Sequence, residues 1–316
     1  MLGCFSVRIA IVGSGGLGGY FGGRLAAAGA QVSFLARGAH LAALRSTGLR
    51  IESPKGNLHL PRVDATDDPA AIGPVDVVLF AVKLYDAEGA LSLLRPLLGA
   101  ETAVIPFQNG VDAVQLIEGA VGHEHTCGGT AYVSAVVAEP GLIRHTSMDH
   151  LIFGEIDGTR SPRLQRLLEA CDPTGFQATL SQDIAVDIWT KFVRLTVFSG
   201  MTAVTRRPIG TIVADPELTA MALAALREGA AVAHAKGVAL SPDIVDNAKT
   251  ALAALPPQSK SSMLEDLERG RRLELPWLSG AIVRIGREVA VETPVHRFIA
   301  AVLGPHVGGT SAPPAS

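Results

Sequence analysis

The apolar run Val7-Arg8-Ile9-Ala10-Ile11-Val12 leads without a break into Gly13-Ser14-Gly15-Gly16-Leu17-Gly18, and this junction constrains the fold more than any other stretch. It spells Gly-x-Gly-x-x-Gly between a strand and a helix rich in small residues expected over residues 20–28. In that context each glycine has its own task. Gly13 allows the tight turn, Gly15 lets a pyrophosphate approach the backbone, and Gly18 lets helix and strand pack closely. The N–H groups and positive dipole end of the helix would hold the phosphate oxygens. Residues 13–18, including Ser14, Gly16 and Leu17, are therefore expected to form a dinucleotide-binding turn between that strand and that helix.

The chain beyond the turn continues the pattern. Residues 30–35 read as a second parallel strand followed by Ala36-Arg37-Gly38, where such folds read the adenosine ribose. No acid lies nearby before Glu52, so Arg37 favours NADPH, because a guanidinium can make charge-assisted bonds to the 2′-phosphate. Residues 49–53 and 57–63 suggest a hairpin around Pro54-Lys55-Gly56, and 75–82 is an almost continuous apolar run, as in a strand buried on both faces. Lys83 ends that strand, where ligands sit in open α/β sheets. A helix is expected over 87–98 and a strand over 102–107, ending at Gln108-Asn109-Gly110, which puts Asn109 at a second strand tip. Residues 130–137 and 142–146, flanking Glu139-Pro140-Gly141, read as an antiparallel extension of the sheet. A further short strand is expected at 151–154, a helix at 162–170 and a last edge strand at 176–180.

From 183 to 298 the periodicity is helical, with Pro208, Pro216, Pro242, Pro256-Pro257 and Pro276 marking starts and breaks. The expected division is a nucleotide-binding domain over 1–181, a helical domain over 182–307 and a disordered tail over 308–316 of Gly, Ser, Pro and Ala with few other residues. In 316 residues, 48% hydrophobic content allows a sizeable core, and a net charge of −3 leaves no electrostatic footprint for nucleic acid or an anionic membrane. No segment reaches the ~18 uncharged apolar residues of a membrane span. Met1-Leu2-Gly3-Cys4 lacks the basic and apolar lead of a secretory signal and is read as a lead into the first strand. Cys4, Cys127 and Cys171 share no metal-like spacing, which argues for a reducing cytoplasm and against a disulfide framework or metal site. His123-Glu124-His125 is read as a chance surface cluster.

Two stretches of the helical half carry chemistry-bearing side chains. Lys191 stands mid-helix with Asp187, Leu195 and Ser199 on one stripe at four-residue spacing. Alone, it could snorkel or pair with Asp187. Residues 259–274 join a Ser-rich helix entry to an acidic and basic helix, where Ser262 could be only an N-cap and Glu274 only a partner of Arg271. Taken in order, however, the glycine loop, Ala36-Arg37, Val82-Lys83, Gln108-Asn109-Gly110, Trp189-x-Lys191 and Ser261-Ser262-Met263-x-x-Asp266 through Glu274 resemble the 2-dehydropantoate 2-reductase (ketopantoate reductase) family over nearly the whole chain.

The resemblance implies a Rossmann-type doubly wound α/β domain followed by a helical domain like that of 6-phosphogluconate dehydrogenases, together binding NADPH and a 2-oxo acid. It places the family's general-acid lysine on Lys191, the glutamate that orients it and binds the substrate hydroxyl on Glu274, and the carboxylate-binding serine on Ser262. Lys83 and Asn109 fall on cofactor or substrate contacts. The implied reaction takes ketopantoate to pantoate in pantothenate and coenzyme A biosynthesis, with a homodimer as the candidate assembly. This chain also departs from the family. Asparagines that bond substrate are replaced by Leu195, Ser199 and Ile209, and an acid two residues after the glutamate is Pro276. Two alternatives therefore stand beside ketopantoate: a more apolar 2-oxo acid or ketone on the same scaffold, and an NADP(H) sensor without turnover. A sensor would have no use for a lysine with its orienting glutamate.

Overall fold

The computed structural model describes residues 7–310; Cys4 with the rest of residues 1–6, and 311–316 of the expected tail, lie outside the described residues. The chain divides into two compact units: residues 1–108 with 112–187, and 109–111 with 188–316. Among the described residues no helix is long and apolar enough to cross a membrane.

In the first unit the chain runs β1 (Arg8–Val12), α1 (Gly16–Ala27), β2 (Gln31–Leu35), α2 (Gly38–Thr47), β3 (Leu49–Glu52), β4 (Leu58–Leu60), β5 (Asp64–Thr66), β6 (Val75–Phe80), α3 (Leu84–Ala90) and β7 (Leu98–Pro106). It continues with α4 (Ala113–Val121), β8 (Cys127–Glu139), β9 (Leu142–Glu155), α5 (Pro162–Cys171) and β10 (Gln177–Leu180). A five-stranded sheet has the order β5-β2-β1-β6-β7, and all its pairs are parallel. Ile9, Ala10, Ile11 and Val12 of the central β1 are fully buried, which is why this strand reads as an unbroken apolar run. The chain turns from the β2 side to the β6 side at β1, so the carboxyl ends of β1 and β6 flank the switch point where such sheets take ligands.

The expected antiparallel extension of this sheet is not there. Residues 130–137 and 142–146 belong to β8 and β9, which form a second sheet of order β10-β9-β3-β4 with β8 on β9. Residues 151–154 are the far half of β9 and not a separate strand. β8 follows β9 from Cys127 opposite Glu155 to Glu139 opposite Leu142, while β3 pairs with the start of β9 and β10 with its end. The apolar face of this sheet, with Ile143, Leu151 and Phe153, needs a cover, and α1 supplies it from between the two sheets. A Cβ on Gly22 would lie 2.8 Å from Ile11 Cγ1 and from Phe34 Cε1 of the first sheet. On Gly19 it would lie 2.8 Å from Ile143 Cδ1, and on Gly23 2.6 Å from Ile51 Cδ1, both of the second. Glycines four apart thus make two smooth stripes on one helix. The helix expected over 87–98 also stops early. α3 ends at Ala90, two 3-10 turns follow at Leu91–Leu93 and Arg95–Leu97, and Pro96, which has no N–H to donate, closes the helical path before β7.

The helix α6 (Ile184–Thr205) carries the chain into the second unit, which is helical: α7 (Ile209–Ala214), α8 (Pro216–Ala235), α9 (Ile244–Ala253), α10 (Ser262–Glu268), α11 (Ser279–Glu288) and α12 (Pro294–Leu303). The carboxylate of Glu228 on α8 accepts from Val295 N at 2.8 Å and His296 N at 3.0 Å, satisfying two amides at the start of α12 where negative charge is favoured. The fully buried His296 has Nε2 3.1 Å from Ala225 O and Nδ1 3.2 Å from Ser279 Oγ. The carbonyl can only accept, so Nε2 carries the proton and Nδ1 accepts from the serine. Burial pushes the His296 pKa down to about 4. The unfolded chain takes a proton there near pH 6.5 that the native state refuses, so the stability tied to this histidine is complete above pH 6.5 and is lost as pH falls toward 4. By pH 4 the loss is about 3 kcal/mol. Unfolding free energies of wild type and His296→Gln are expected to converge by about that amount between pH 7 and pH 4; parallel pH curves would refute the assignment.

Candidate active site

The turn between β1 and α1 is built by close approach. Gly13 has φ +101°, and a Cβ there would lie 2.6 Å from Val82 N, so both its backbone conformation and its neighbour require glycine. A Cβ on Gly18 would overlap the Gly13 carbonyl and approach Ile11 Cγ2 to 2.7 Å; one on Gly16 would overlap the Ala135 carbonyl of β8. Gly15 is different: a Cβ on it would meet nothing, so its backbone faces open space. Gly15 is also the N-cap of α1, which has neither a side-chain cap nor an acid in its first turn. Leu17 packs on the core, and the buried Ser14 hydroxyl donates to Leu35 O at 2.9 Å, tying the turn to β2. An open glycine backbone before uncapped helical amides fits a dinucleotide pyrophosphate.

Arg37, at the end of β2, is exposed, and its side chain has no hydrogen bond or ion pair to a described residue. Lys83 is likewise exposed, just past β6 as the N-cap of α3. Both stand at the carboxyl end of the parallel sheet, with the glycine turn.

Lys191, Asn109 and Glu274, separated by 82 and 165 residues, meet in the second unit. Lys191 Nζ donates to Asn109 Oδ1 at 3.1 Å, and Asn109 Nδ2 donates to Glu274 Oε2 at 3.0 Å. The amide thus uses its acceptor on the cation and its donor on the anion. Lys191 is half-buried by surface area, but protein atoms enclose it closely. Desolvation lowers its pKa to about 8, against the charge of Glu274 and with the help of Arg194. Such a lysine remains mostly protonated at neutral pH and yields its proton more readily than a free one. Asp187, the partner suggested by spacing, instead accepts from Ser181 Oγ.

Along the Lys191 stripe, Leu195 is half-buried and Ser199 fully buried, its hydroxyl without a hydrogen-bond partner among the described residues. Ile209 is buried, and Pro276 is exposed in the turn Leu275–Trp277 just after Glu274. The N-cap of α10 is Ser261 and not Ser262: Ser261 Oγ accepts from Leu264 N at 3.1 Å and lies 2.7 Å from Thr202 Oγ1. That leaves Ser262 exposed at the first helical position. Arg271, suggested as the partner of Glu274, lies 3.8 Å from Asp266. His123 pairs with Glu118 and His125 with Thr102 O, so the two imidazoles turn to separate partners.

A parallel sheet with a dinucleotide turn, joined to a helical unit that holds a half-buried lysine beside an amide and a carboxylate, is the equipment of an NAD(P)-dependent oxidoreductase acting on CH–OH groups. The comparisons narrow this to one family. Residues 9–158 match the family model "Ketopantoate reductase PanE/ApbA" and residues 183–306 its C-terminal counterpart. The 2-dehydropantoate 2-reductase of Mesorhizobium japonicum is 33% identical over 309 residues, covering 91% of this chain and 94% of its own. An uncharacterized oxidoreductase of Bacillus subtilis, YkpB, is 31% identical over 291 residues, covering 92% and 95%. The crystal structure of 2-dehydropantoate 2-reductase from Geobacter metallireducens superposes with a TM-score of 0.88 at 29% identity, covering 95% of this chain and 99% of the other. The chain belongs to the ketopantoate reductase family.

Proposed function

We propose that this protein reduces a 2-oxo acid to the 2-hydroxy acid with NADPH, and that the acid is 2-dehydropantoate, giving pantoate for pantothenate and coenzyme A synthesis. The observation that carries the reading is the chain of hydrogen bonds from Lys191 through Asn109 to Glu274. The bound cofactor supplies hydride to the carbonyl carbon. Lys191 Nζ protonates the carbonyl oxygen as negative charge develops there, Asn109 holds Nζ in place, and Glu274 anchors Asn109 and takes the substrate hydroxyl. Ser262 binds the substrate carboxylate, and Lys83 the cofactor. The nucleotide domain is assigned to residues 1–181 and the substrate domain to 182–307. A homodimer is the proposed assembly, with the exposed Phe298 and Val302, one turn apart on α12, offering apolar surface. NADPH oxidation followed with ketopantoate beside a panel of other 2-oxo acids tests the reading; no oxidation with any member would defeat it and leave a nucleotide sensor.

NADPH is expected to bind more tightly than NADH by roughly 1.5–3 kcal/mol, because the exposed Arg37, which no described residue engages through its side chain, can form charge-assisted bonds with a 2′-phosphate. Calorimetry on Arg37→Ala should find most of that preference gone. Equal affinities in the wild type would reject the role of Arg37.

A second reading rests on Leu195 and Ser199. Leu195 puts apolar surface one turn from Lys191, and a substrate hydroxyl left unpaired costs about 1–3 kcal/mol against about 0.8 kcal/mol gained per buried methylene, which favours a less hydroxylated acid. The buried Ser199 hydroxyl, without a partner among the described residues, works the other way, as a group able to receive the substrate's. Catalytic efficiencies for ketopantoate and its analogue without the 4-hydroxyl, in wild type and Leu195→Asn, separate the two; a hundredfold wild-type preference for ketopantoate would exclude the second.

A further inference from the structure

Gln108 is 8% exposed, and both its Oε1 and its Nε2 are buried without a hydrogen-bond partner among the described residues. A buried primary amide with both ends unsatisfied is among the least favourable groups a fold can keep, and most such groups in native proteins have partners. Its position suggests what the partner is. Gln108 is the second residue past β7, where Phe107 N donates to Phe80 O at 2.9 Å. Ala81 N donates to Val12 O at 2.8 Å beside it, so the tips of β1, β6 and β7 are joined edge to edge at the end of the sheet that carries the glycine turn. The next residue in the chain, Asn109, accepts from Lys191.

Hydride and proton add to neighbouring atoms of one carbonyl group, so the nicotinamide must come close to the proton donor. Its carboxamide carries one carbonyl acceptor and one NH2 donor, the complement of the two ends of a glutamine side chain. The pyrophosphate has the glycine turn and the 2′-phosphate has Arg37, but none of the residues assigned above receives this carboxamide. We propose that Gln108 is a cofactor-binding residue whose amide pairs with the nicotinamide carboxamide. The inference rests on the nicotinamide-cofactor reading above.

The test is equilibrium binding, by calorimetry, of NADP+, its 3-acetylpyridine analogue and 2′-phospho-ADP-ribose to wild type and Gln108→Met. The acetylpyridine ring keeps an acceptor and lacks the NH2 group, and 2′-phospho-ADP-ribose lacks the ring altogether. Loss of two neutral hydrogen bonds should weaken NADP+ binding to Gln108→Met by about tenfold to a hundredfold, with 2′-phospho-ADP-ribose unchanged within twofold. Wild type should prefer NADP+ to the acetylpyridine analogue by about tenfold, and the variant should not distinguish them. The melting temperature of the ligand-free variant should equal or exceed that of wild type, since an unsatisfied amide is removed. Unchanged NADP+ affinity in the variant would overturn the proposal, as would an equal loss for 2′-phospho-ADP-ribose, or a weakened 2-oxo acid with NADP+ unaffected. Equal binding of NADP+ and the acetylpyridine analogue to wild type would overturn it without any substitution. A wild type that binds neither NADP+ nor 2′-phospho-ADP-ribose would instead defeat the cofactor reading itself.

Discussion

Replacing Lys191 with alanine is expected to lower the turnover number by about 10²–10⁴-fold while leaving NADPH affinity nearly unchanged, the range for loss of a positioned general acid. The side chain is enclosed, held at 3.1 Å by Asn109 Oδ1, and has a pKa lowered to about 8 by desolvation. Reduction requires the protonated form, so kcat/KM for the 2-oxo acid should be level below pH 8 and fall about tenfold per unit above it. Oxidation of the 2-hydroxy acid requires the free amine and should rise to a plateau across the same interval. Lys191→Arg keeps the charge but cannot lose its proton in this range, so its profile should lack the inflection. Asn109→Ala should impair turnover in the same direction through the misplaced amine. Normal turnover in Lys191→Ala would make the lysine structural and refute the proposed chemistry at its centre.

Arg163→Met is expected to destabilise the protein by about 3–5 kcal/mol, because it leaves a buried carboxylate without its counter-ion. Glu155 ends β9, and Arg163 grips it with Nε and Nη2, each at 2.7 Å, while Nη1 donates to Glu124 O at 2.7 Å. The side chains of Arg163 and Glu155 are only 14% and 9% exposed. Ser161, the N-cap of α5, also donates to Glu155, as does Cys127 Sγ at 3.3 Å. Burial alone would raise the Glu155 pKa, but the hydrogen bonds and charge of Arg163, with Ser161, hold it below the usual carboxylate value. The double variant Arg163→Met/Glu155→Gln should recover part of the loss, since no charge then remains buried. Urea unfolding of the single and double variants measures both; a single-variant loss under 1 kcal/mol would show that the pair contributes little.

Much of the nucleotide half is legible in the chain itself, because its signals are local. β1 is an apolar run, the turn after it needs glycine at 13 for its positive φ and at 18 for close approach to the Gly13 carbonyl, and Arg37 and Lys83 follow strands whose ends are marked by the change from apolar to polar residues. Pro96, by contrast, lies inside a stretch with helical periodicity that hides it, although the break it makes is also local.

What the tertiary structure alone decided is where distant segments meet. A period of two marks 130–137 and 142–146 as strands, but strand pairing depends on edges contributed from elsewhere, here β3 and β10, and no local pattern names them. The same second sheet explains why Gly16, Gly19 and Gly23 are glycine as well as the three of the motif, since β8, Ile143 and Ile51 press on α1 from the side opposite β1. Family motifs single out Lys191, Asn109 and Glu274 one at a time; that one amide bridges the other two is a contact across 82 and 165 residues. Gln108 carried no signal beyond its place before Asn109, because an unsatisfied amide is defined by what surrounds it. Backbone preferences act over a few residues and can be read in order along the chain, whereas pairing, burial and desolvation are properties of groups brought together only by folding.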